Sequence, residues 1–242
     1  MVSLKASPAA VGAPEGYANP VAVGSETELI KQIERLRMEL ALQERQSSSK
    51  EQLAAVRALS NAVEARAGYG GKHAERVTAF ALEIAQALEL SLSEKPEIEF
   101  GFLLHDIGKV AIPDAILSKP AALTDEEQAL MKRHALIGAQ IVDAIDLGGA
   151  ADVVRSHHER WDGQGYPDGL AGEQIPAAAR VLAVADVLDA LTTKRPYRPA
   201  SSLSAAREII TRQAGAQFDP GVVDAFNSVP DSTFEQIRAR IG

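Results

Sequence analysis

The chain has 242 residues, 24% of them charged and 46% apolar, with 25 Lys and Arg against 33 Asp and Glu for a net charge of −8. This profile excludes a wholly disordered or fibrous chain and leaves apolar material for a sizeable core in one or two domains; it argues against a surface for duplex nucleic acid, which needs many Lys and Arg. There is no cysteine, so disulfides, thiolate metal sites and cysteine nucleophiles are excluded together, and any metal must be held by His and carboxylate.

Residues 1–24 are rich in Ala, Pro, Gly and Val without periodicity and read as a flexible tail. The opening MVSLKASPAAVGAPEGYANP is broken by Pro, Gly and Glu and does not read as a secretory signal. No apolar run approaches the roughly 18–20 residues of a membrane span, so no membrane association is expected and a cytoplasmic protein is the default. Ser25 and Glu28 have capping-box spacing. Behind them Leu29, Ile33, Leu36 and Leu40 follow a 4-3-4 spacing that puts a narrow apolar seam on one helix face, until Gln43, Ser47 and Lys50 end it. A seam this short leaves two readings open: a helix packed on its own domain, and a dimerising stalk. The helical pattern resumes with Leu53, Val56, Leu59 and Val63 and is interrupted by Gly68, Gly70 and Gly71.

From His73 onward, helices are predicted at about 73–90, 95–106, 149–158, 203–214 and 220–228. Another starts at Thr124, with Glu127 completing a capping box, and carries Leu130, His134, Ile137, Ile141 and Ile145. One more runs from after Pro176 to about Thr192. Asp219 and Pro220 have the cap and first-turn chemistry of a helix start, and residues 230–242 read as a last helix. Nothing alternates with period two for long enough to make a strand, so the fold class is all-α. The one long irregular stretch is ERWDGQGYPDGLAGEQI at 159–175; a loop of this length is usually functional or disordered, and Trp161 and Tyr166 argue against disorder.

The chemistry gathers on the five histidines, His73, His105, His134, His157 and His158. His105 and Asp106 end an apolar stretch, FGFLLHDIGK, and an adjacent buried His and Asp are costly unless paired or metal-bound. A plain buried His–Asp hydrogen bond is the alternative. His157 and His158 make a second adjacent pair beside the glycine-rich loop, a pattern that suits two metals side by side. Asp186 stands among Val184, Ala185, Val187 and Leu188, with Asp189 three residues on along the same face; buried it needs a partner, and a surface acid is the other reading. Five imidazoles with two or three carboxylates and no sulfur suit Fe, Mn, Zn, Co or Ni over Ca or Mg. Two such ions could clamp a phosphodiester and activate a bridging water. Arg195 and Arg198 in KRPYRP could hold phosphates bidentately, or be exposed surface charge. There is no GxxxxGK[ST] loop and no G-x-S-x-G elbow.

HDIGK at 105–109 followed by HHERWDGQGYP at 157–167 resembles the HD-GYP family, a branch of the HD phosphohydrolase superfamily. HxxRV at 73–77, MKRHxxxG at 131–138, GLxGExIP at 169–176, AVADVLDALTxxRPYR at 183–198 and FDPxVVxAF at 218–226 extend the resemblance over about residues 65–229, leaving 25–64 as a linker or coiled-coil helix. The resemblance implies a helical HD-domain bundle with an irregular GYP loop. It implies metal-dependent hydrolysis of cyclic di-GMP to pGpG or on to GMP in bacterial second-messenger signalling, with two divalent ions, iron or manganese before zinc, cobalt or nickel. It also implies that His73, His105, Asp106 and Asp186 hold one ion and that Asp106 bridges to a second held by His134, His157 and His158. Lys109 matches a lysine at the scissile phosphate or leaving group, and Asp189 an acid near it. Arg195 and Arg198 match phosphate-binding positions. Tyr166 lies in the GYP loop, which in the family has been linked to protein partners. The implied reaction is in-line attack of a metal-activated water on phosphorus, with Lys109 helping the leaving oxygen depart.

The segment EARAGYGGKH before His73 departs from the family pattern: Ala67 and Gly70 stand where an acid and a threonine are usual, and Tyr69 where a third-metal glutamate can stand. Two metals are therefore expected. The rival functions are a signalling adaptor that binds partners or the dinucleotide without turnover, and a phosphodiesterase for another cyclic dinucleotide. Residues 1–64 are too short for the sensory or receiver domain many relatives carry, and a homodimer through 25–64 is expected instead.

Overall fold

The computed structural model describes residues 26–67, 72–90, 96–194 and 199–242. Among these residues the architecture is all-α: ten helices, no ladder of strands, and a single isolated bridge between Ala214 and Phe218. In order they are α1 (Glu26–Ala67), α2 (His73–Ala87), α3 (Pro96–Leu103), α4 (Asp114–Leu117), α5 (Asp125–Ala144), α6 (Ala150–Ser156), α7 (Ala177–Thr192), α8 (Leu203–Arg212), α9 (Pro220–Ser228) and α10 (Asp231–Ile241). The chain divides into two units between Ser49 and Lys50, within α1. No helix among the described residues is long and apolar enough to cross a membrane.

The capping chemistry read from the sequence is present. Thr124 caps α5 in a reciprocal box with Glu127. Asp219 accepts from Gly221 N, and Pro220 opens α9. α7 begins behind Pro176 and ends at Thr192 as expected. The helix expected at 95–106 stops at Leu103, because Ile107 N then bonds to Leu104 O and the chain tightens into a 3-10 turn, Ile107–Ala111. The one-turn α4 was not expected; four residues are too few to show a helical period. The Ser25–Glu28 capping box and the departures at Tyr69 and Gly70 lie outside the described residues.

Two apolar clusters hold the second unit. The larger joins α2, α7, α8, α9 and α10 through Phe80, Ile84, Leu182, Leu188, Phe226 and Phe234. The smaller joins the end of α1 to α3, α5 and α6 through Val56, Val63, Leu104, Val142 and Val154. Helices α3 and α6 serve both: Phe102 and Val153 face the first cluster, Leu103 and Val154 the second. Gripped on two sides, these are the helices whose C-terminal ends carry His105–Asp106 and His157–His158.

Candidate metal centre

The five histidines form one continuous row. Ring centroids lie 5.4 Å apart for His73 and His105, 5.3 Å for His105 and His157, 5.3 Å for His157 and His134, and 5.1 Å for His134 and His158. They come from four segments of the fold. His73 opens α2, His105 follows α3, His134 is in mid-α5, and the pair 157–158 follows α6. Two groups of donor atoms result, each within 4.8 Å: His73, His105 and Asp106, and His134, His157 and His158.

Backbone chemistry fixes which nitrogen each ring presents. Nδ1 of His105, His134 and His157 lies 2.8, 2.8 and 2.6 Å from the carbonyl three residues earlier, on Phe102, Met131 and Val154. A carbonyl only accepts, so each Nδ1 carries the proton and a neutral ring turns its Nε2 lone pair inward. Nε2 of His134 and Nε2 of His157 then meet at 3.3 Å. Burial lowers both imidazoles from their ordinary value, His157 far below it, so neither holds a second proton to share. Two buried lone pairs face each other without a donor. This is a donor set built for a cation, and a divalent transition metal fits it.

The carboxylates complete the set. Asp106 Oδ2 lies 3.5 Å from His105 Nε2 and Oδ1 lies 3.5 Å from His134 Nε2, so one carboxylate reaches both groups. Burial opposes its charge, but the Lys109 ammonium 2.5 Å away, with His105 and His134 behind it, holds Asp106 well below the usual carboxylate range. Asp186 Oδ1 is 3.4 Å from His73 Nε2. Burial would raise Asp186 too, and His73 outweighs it and holds it down. Burial disfavours the His73 imidazolium, yet its hydrogen bonds to Asp186 and Asp189 prevail and lift it to about 10. His158 goes the other way, pushed down to about 4 by burial and by His134.

Asp189 is 1% exposed. It accepts from His73 Nδ1 at 2.7 Å and from Arg76 Nε and Nη2 at 2.7 and 3.1 Å. The resemblance implies an acid near the scissile phosphate at this position; in the structure its carboxylate meets His73 Nδ1, while Asp186 meets Nε2 of the same ring. Tyr166 stacks on His158 with centroids 4.8 Å apart, and burial keeps its phenol protonated. A groove of about 260 Å³ opens there, walled by His157, His158, Tyr166, Asp186, Lys132 and Gln217. Arg195 and Arg198 lie outside the described residues.

Three further residues support the centre and were not singled out from the sequence. Glu159 is buried and accepts from the backbone N–H groups of Asp168, Gly169 and Leu170 at 2.7, 3.1 and 3.1 Å, which ties down the glycine-rich loop. Glu64 accepts from His73 N and Ala74 N, and Arg66 donates to three carbonyls around Lys109. The available signal was a Glu inside HHERW and a charged pair at the end of the helical stretch that carries Leu53, Val56, Leu59 and Val63. The glycines of the two motifs have steric reasons. A Cβ on Gly108 would stand 1.9 Å from His134 O, and one on Gly165 would stand 2.4 Å from Arg160 N.

A family model described as the HD domain matches residues 57–222. The chain belongs to the HD domain family. HDIGK and HHERWDGQGYP are the motifs of its HD-GYP branch. The chain is 46% identical over 172 residues to a cyclic di-GMP phosphodiesterase response regulator, RpfG, of Xanthomonas campestris, covering 69% of this chain and 45% of that one. It is 41% identical over 169 residues to a 3'3'-cGAMP-specific phosphodiesterase of Vibrio cholerae, covering 69% and 32%. The chain thus spans less than half the length of these curated relatives. Among solved structures, a cyclic GMP-AMP-specific phosphodiesterase of Vibrio cholerae aligns with a TM-score of 0.58 at 21% identity, over 76% of this chain and 52% of that one. That likeness shows the shared fold.

Proposed function

We propose that the chain is a metal-dependent phosphodiesterase that hydrolyses cyclic di-GMP to pGpG or GMP. The observation that carries this reading is the row of five imidazoles with Asp106 spanning two donor groups beside an open groove. In it, His73, His105, Asp106 and Asp186 hold one divalent ion, and Asp106, His134, His157 and His158 hold a second. Two divalent ions, iron or manganese, supply a Lewis acid and a lowered pKa for water at a phosphate.

The chain's own groups do the rest. Lys109, held at Asp106, offers its ammonium to the charge that develops on the leaving oxygen. Tyr166 keeps its proton, so the phenol donates to substrate from the groove wall, with Lys132 Nζ 5.3 Å from its ring as a counter-charge for phosphate. Asp189 and Arg76 orient His73 and keep its Nδ1 protonated, so that Nε2 is the ligating atom. Arg195 and Arg198 are proposed phosphate contacts on the sequence pattern alone. The GYP loop remains the proposed docking element for a protein partner, in a cytoplasmic setting.

The test is an anaerobic assay with Fe(II) or Mn(II), cyclic di-GMP and 3'3'-cGAMP, with Asp106→Ala as control. Production of pGpG or GMP that the variant abolishes is the expected result. Preferential turnover of 3'3'-cGAMP is the second reading, supported by the likeness to a 3'3'-cGAMP-specific phosphodiesterase of Vibrio cholerae. Metal-loaded protein that leaves both substrates intact would defeat the enzymatic reading in favour of the adaptor. A homodimer through residues 25–64 is proposed as well: Leu36, a seam residue, is 58% exposed in the single chain. Sedimentation as a concentration-independent monomer would end that idea.

A further inference from the structure

The last turn of α1 ends in two charged side chains that are both committed to the metal centre. Glu64 is 4% exposed. Its carboxylate accepts from His73 N at 3.2 Å and from Ala74 N, the first two amides of α2. Those amides have no partner within their own helix. The residue in the N-cap place, Lys72, makes no side-chain cap and has φ 66, so the cap is supplied from another helix. A carboxylate on this positive helix end also complements the helix dipole. It thereby fixes the place of His73, whose ring is a candidate ligand.

Arg66 does the equivalent for the other side. Its Nη1 donates to Lys109 O at 3.0 Å and Val110 O at 2.6 Å, and its Nη2 to Ile112 O at 2.7 Å. Asp114 Oδ1, 2.8 Å away, balances the guanidinium. Three carbonyls at the end of the 3-10 turn are thus gathered by one planar fork, which lysine cannot reproduce. The turn so held presents Lys109 to Asp106. Behind this arrangement a void of only about 10 Å³ separates Ser60, Val63, Glu64 and Ala67 from Asp106 and Lys109. The α1 end therefore packs directly on the back of the centre.

We propose that Glu64 and Arg66 are positioning residues: Glu64 sets the His73 ligand and Arg66 sets Lys109. The proposal rests on the metal-centre reading and assigns that centre a support from the end of α1, outside HDIGK and HHERWDGQGYP. Support of this kind, when removed, typically costs tens-fold in metal affinity or activity.

The experiment has two arms in the full chain. In the first, Mn(II) binding to metal-free protein is followed by calorimetric titration for wild type, Glu64→Gln and Glu64→Ala. Glu64→Ala is expected to weaken one of the two ions about tenfold and leave the other, with Glu64→Gln, which retains one acceptor oxygen, in between. Unchanged affinity in both variants overturns the role of Glu64, and should Glu64→Ala not fold, the Gln variant decides. Wild type that binds no Mn(II) fails the metal-centre reading instead. In the second arm, kcat for the dinucleotide is measured in a double-mutant cycle. Arg66→Ala and Arg66→Lys are expected to lower kcat about tenfold at constant KM, and to have no further effect in a Lys109→Ala background. Equal fold-losses in both backgrounds overturn the role of Arg66.

Discussion

At the scale of single residues, the centre depends on close backbone approach and on unusual proton affinities. Gly108 lets the 3-10 turn touch α5 where His134 projects, since a Cβ there would overlap His134 O at 1.9 Å and Gly138 N at 2.6 Å. Both contacts are backbone, so neither can swing aside. Gly108→Ala should cost roughly 3–5 kcal/mol, the upper range for one substitution. Gly149→Ala, at the N-cap of α6 with nothing nearer than 3.9 Å, should cost less than about 1 kcal/mol. Urea denaturation compares them, and similar costs would remove the steric account of the HDIGK glycine. The histidines predict a pH dependence for metal-free protein. His158 is neutral in the fold down to about 4 and titrates near 6.5 when unfolded. Between those values the unfolded chain binds more protons, so stability falls as pH drops from 6.5 towards 4. His73 is raised to about 10, so its contribution is full below 6.5 and is lost as pH climbs from 6.5 to 10. His158→Gln should flatten the acid limb and His73→Gln the alkaline limb of stability against pH. Limbs that keep their wild-type slopes would contradict these proton affinities.

At the scale of elements, the glycine-rich loop 159–175 is held by charge as well as by packing. Glu159 accepts from three successive amides, Asp168, Gly169 and Leu170, and Tyr166 N donates to His158 O at 3.3 Å. Hydrogen bonds to a charged group are worth about 1.5–3 kcal/mol each, so loss of the carboxylate should weaken local closure by at least one such bond. Glu159→Ala is expected to speed hydrogen exchange at these three amides on the order of 100-fold while the α7 core keeps its protection. Unaltered exchange at the three amides would mean the loop is held by other contacts. This anchor also marks where sequence reading stops. Helix starts at Thr124, Pro176 and Asp219 were legible because capping is local, within about three residues. Of the candidate ligands, His105 with Asp106 and Asp186 were legible because chemically expensive residues stood in apolar runs, and the other histidines through the motifs around them. Glu64 holding α2 from α1, or Arg76 fixing Asp189 from 113 residues away, leaves no local pattern. A charged residue in a helix reads as a solvated face until the fold buries it. The spacing of Asp189 from Asp186 likewise says only that both share a helix face; that they meet opposite nitrogens of the His73 ring, Asp186 at Nε2 and Asp189 at Nδ1, is a matter of packing.

At the scale of the whole molecule, the candidate ligands come from segments spread from His73 to Asp186, more than a hundred residues of chain. The histidine row joins α2, anchored in the larger apolar cluster, to α5, which packs with the smaller one. A cation held by both groups would therefore cross-link the two clusters. An ion that binds only the folded chain stabilises it by about 2.7 kcal/mol at a hundredfold excess over Kd. For a unit of this size that corresponds to a Tm rise of roughly 5–10 °C. Metal-free protein titrated with Mn(II) should show that rise in a single cooperative transition, reversed by chelator. His134→Ala removes an Nε2 that faces both His157 and Asp106, and should reduce the rise while leaving the metal-free Tm less affected, because the lone-pair contact at 3.3 Å disappears with it. Calorimetry separates the cases. A full-sized rise in His134→Ala would place the ion elsewhere, and no rise in wild type at saturating Mn(II) would mean that the two clusters are held by their apolar contacts alone.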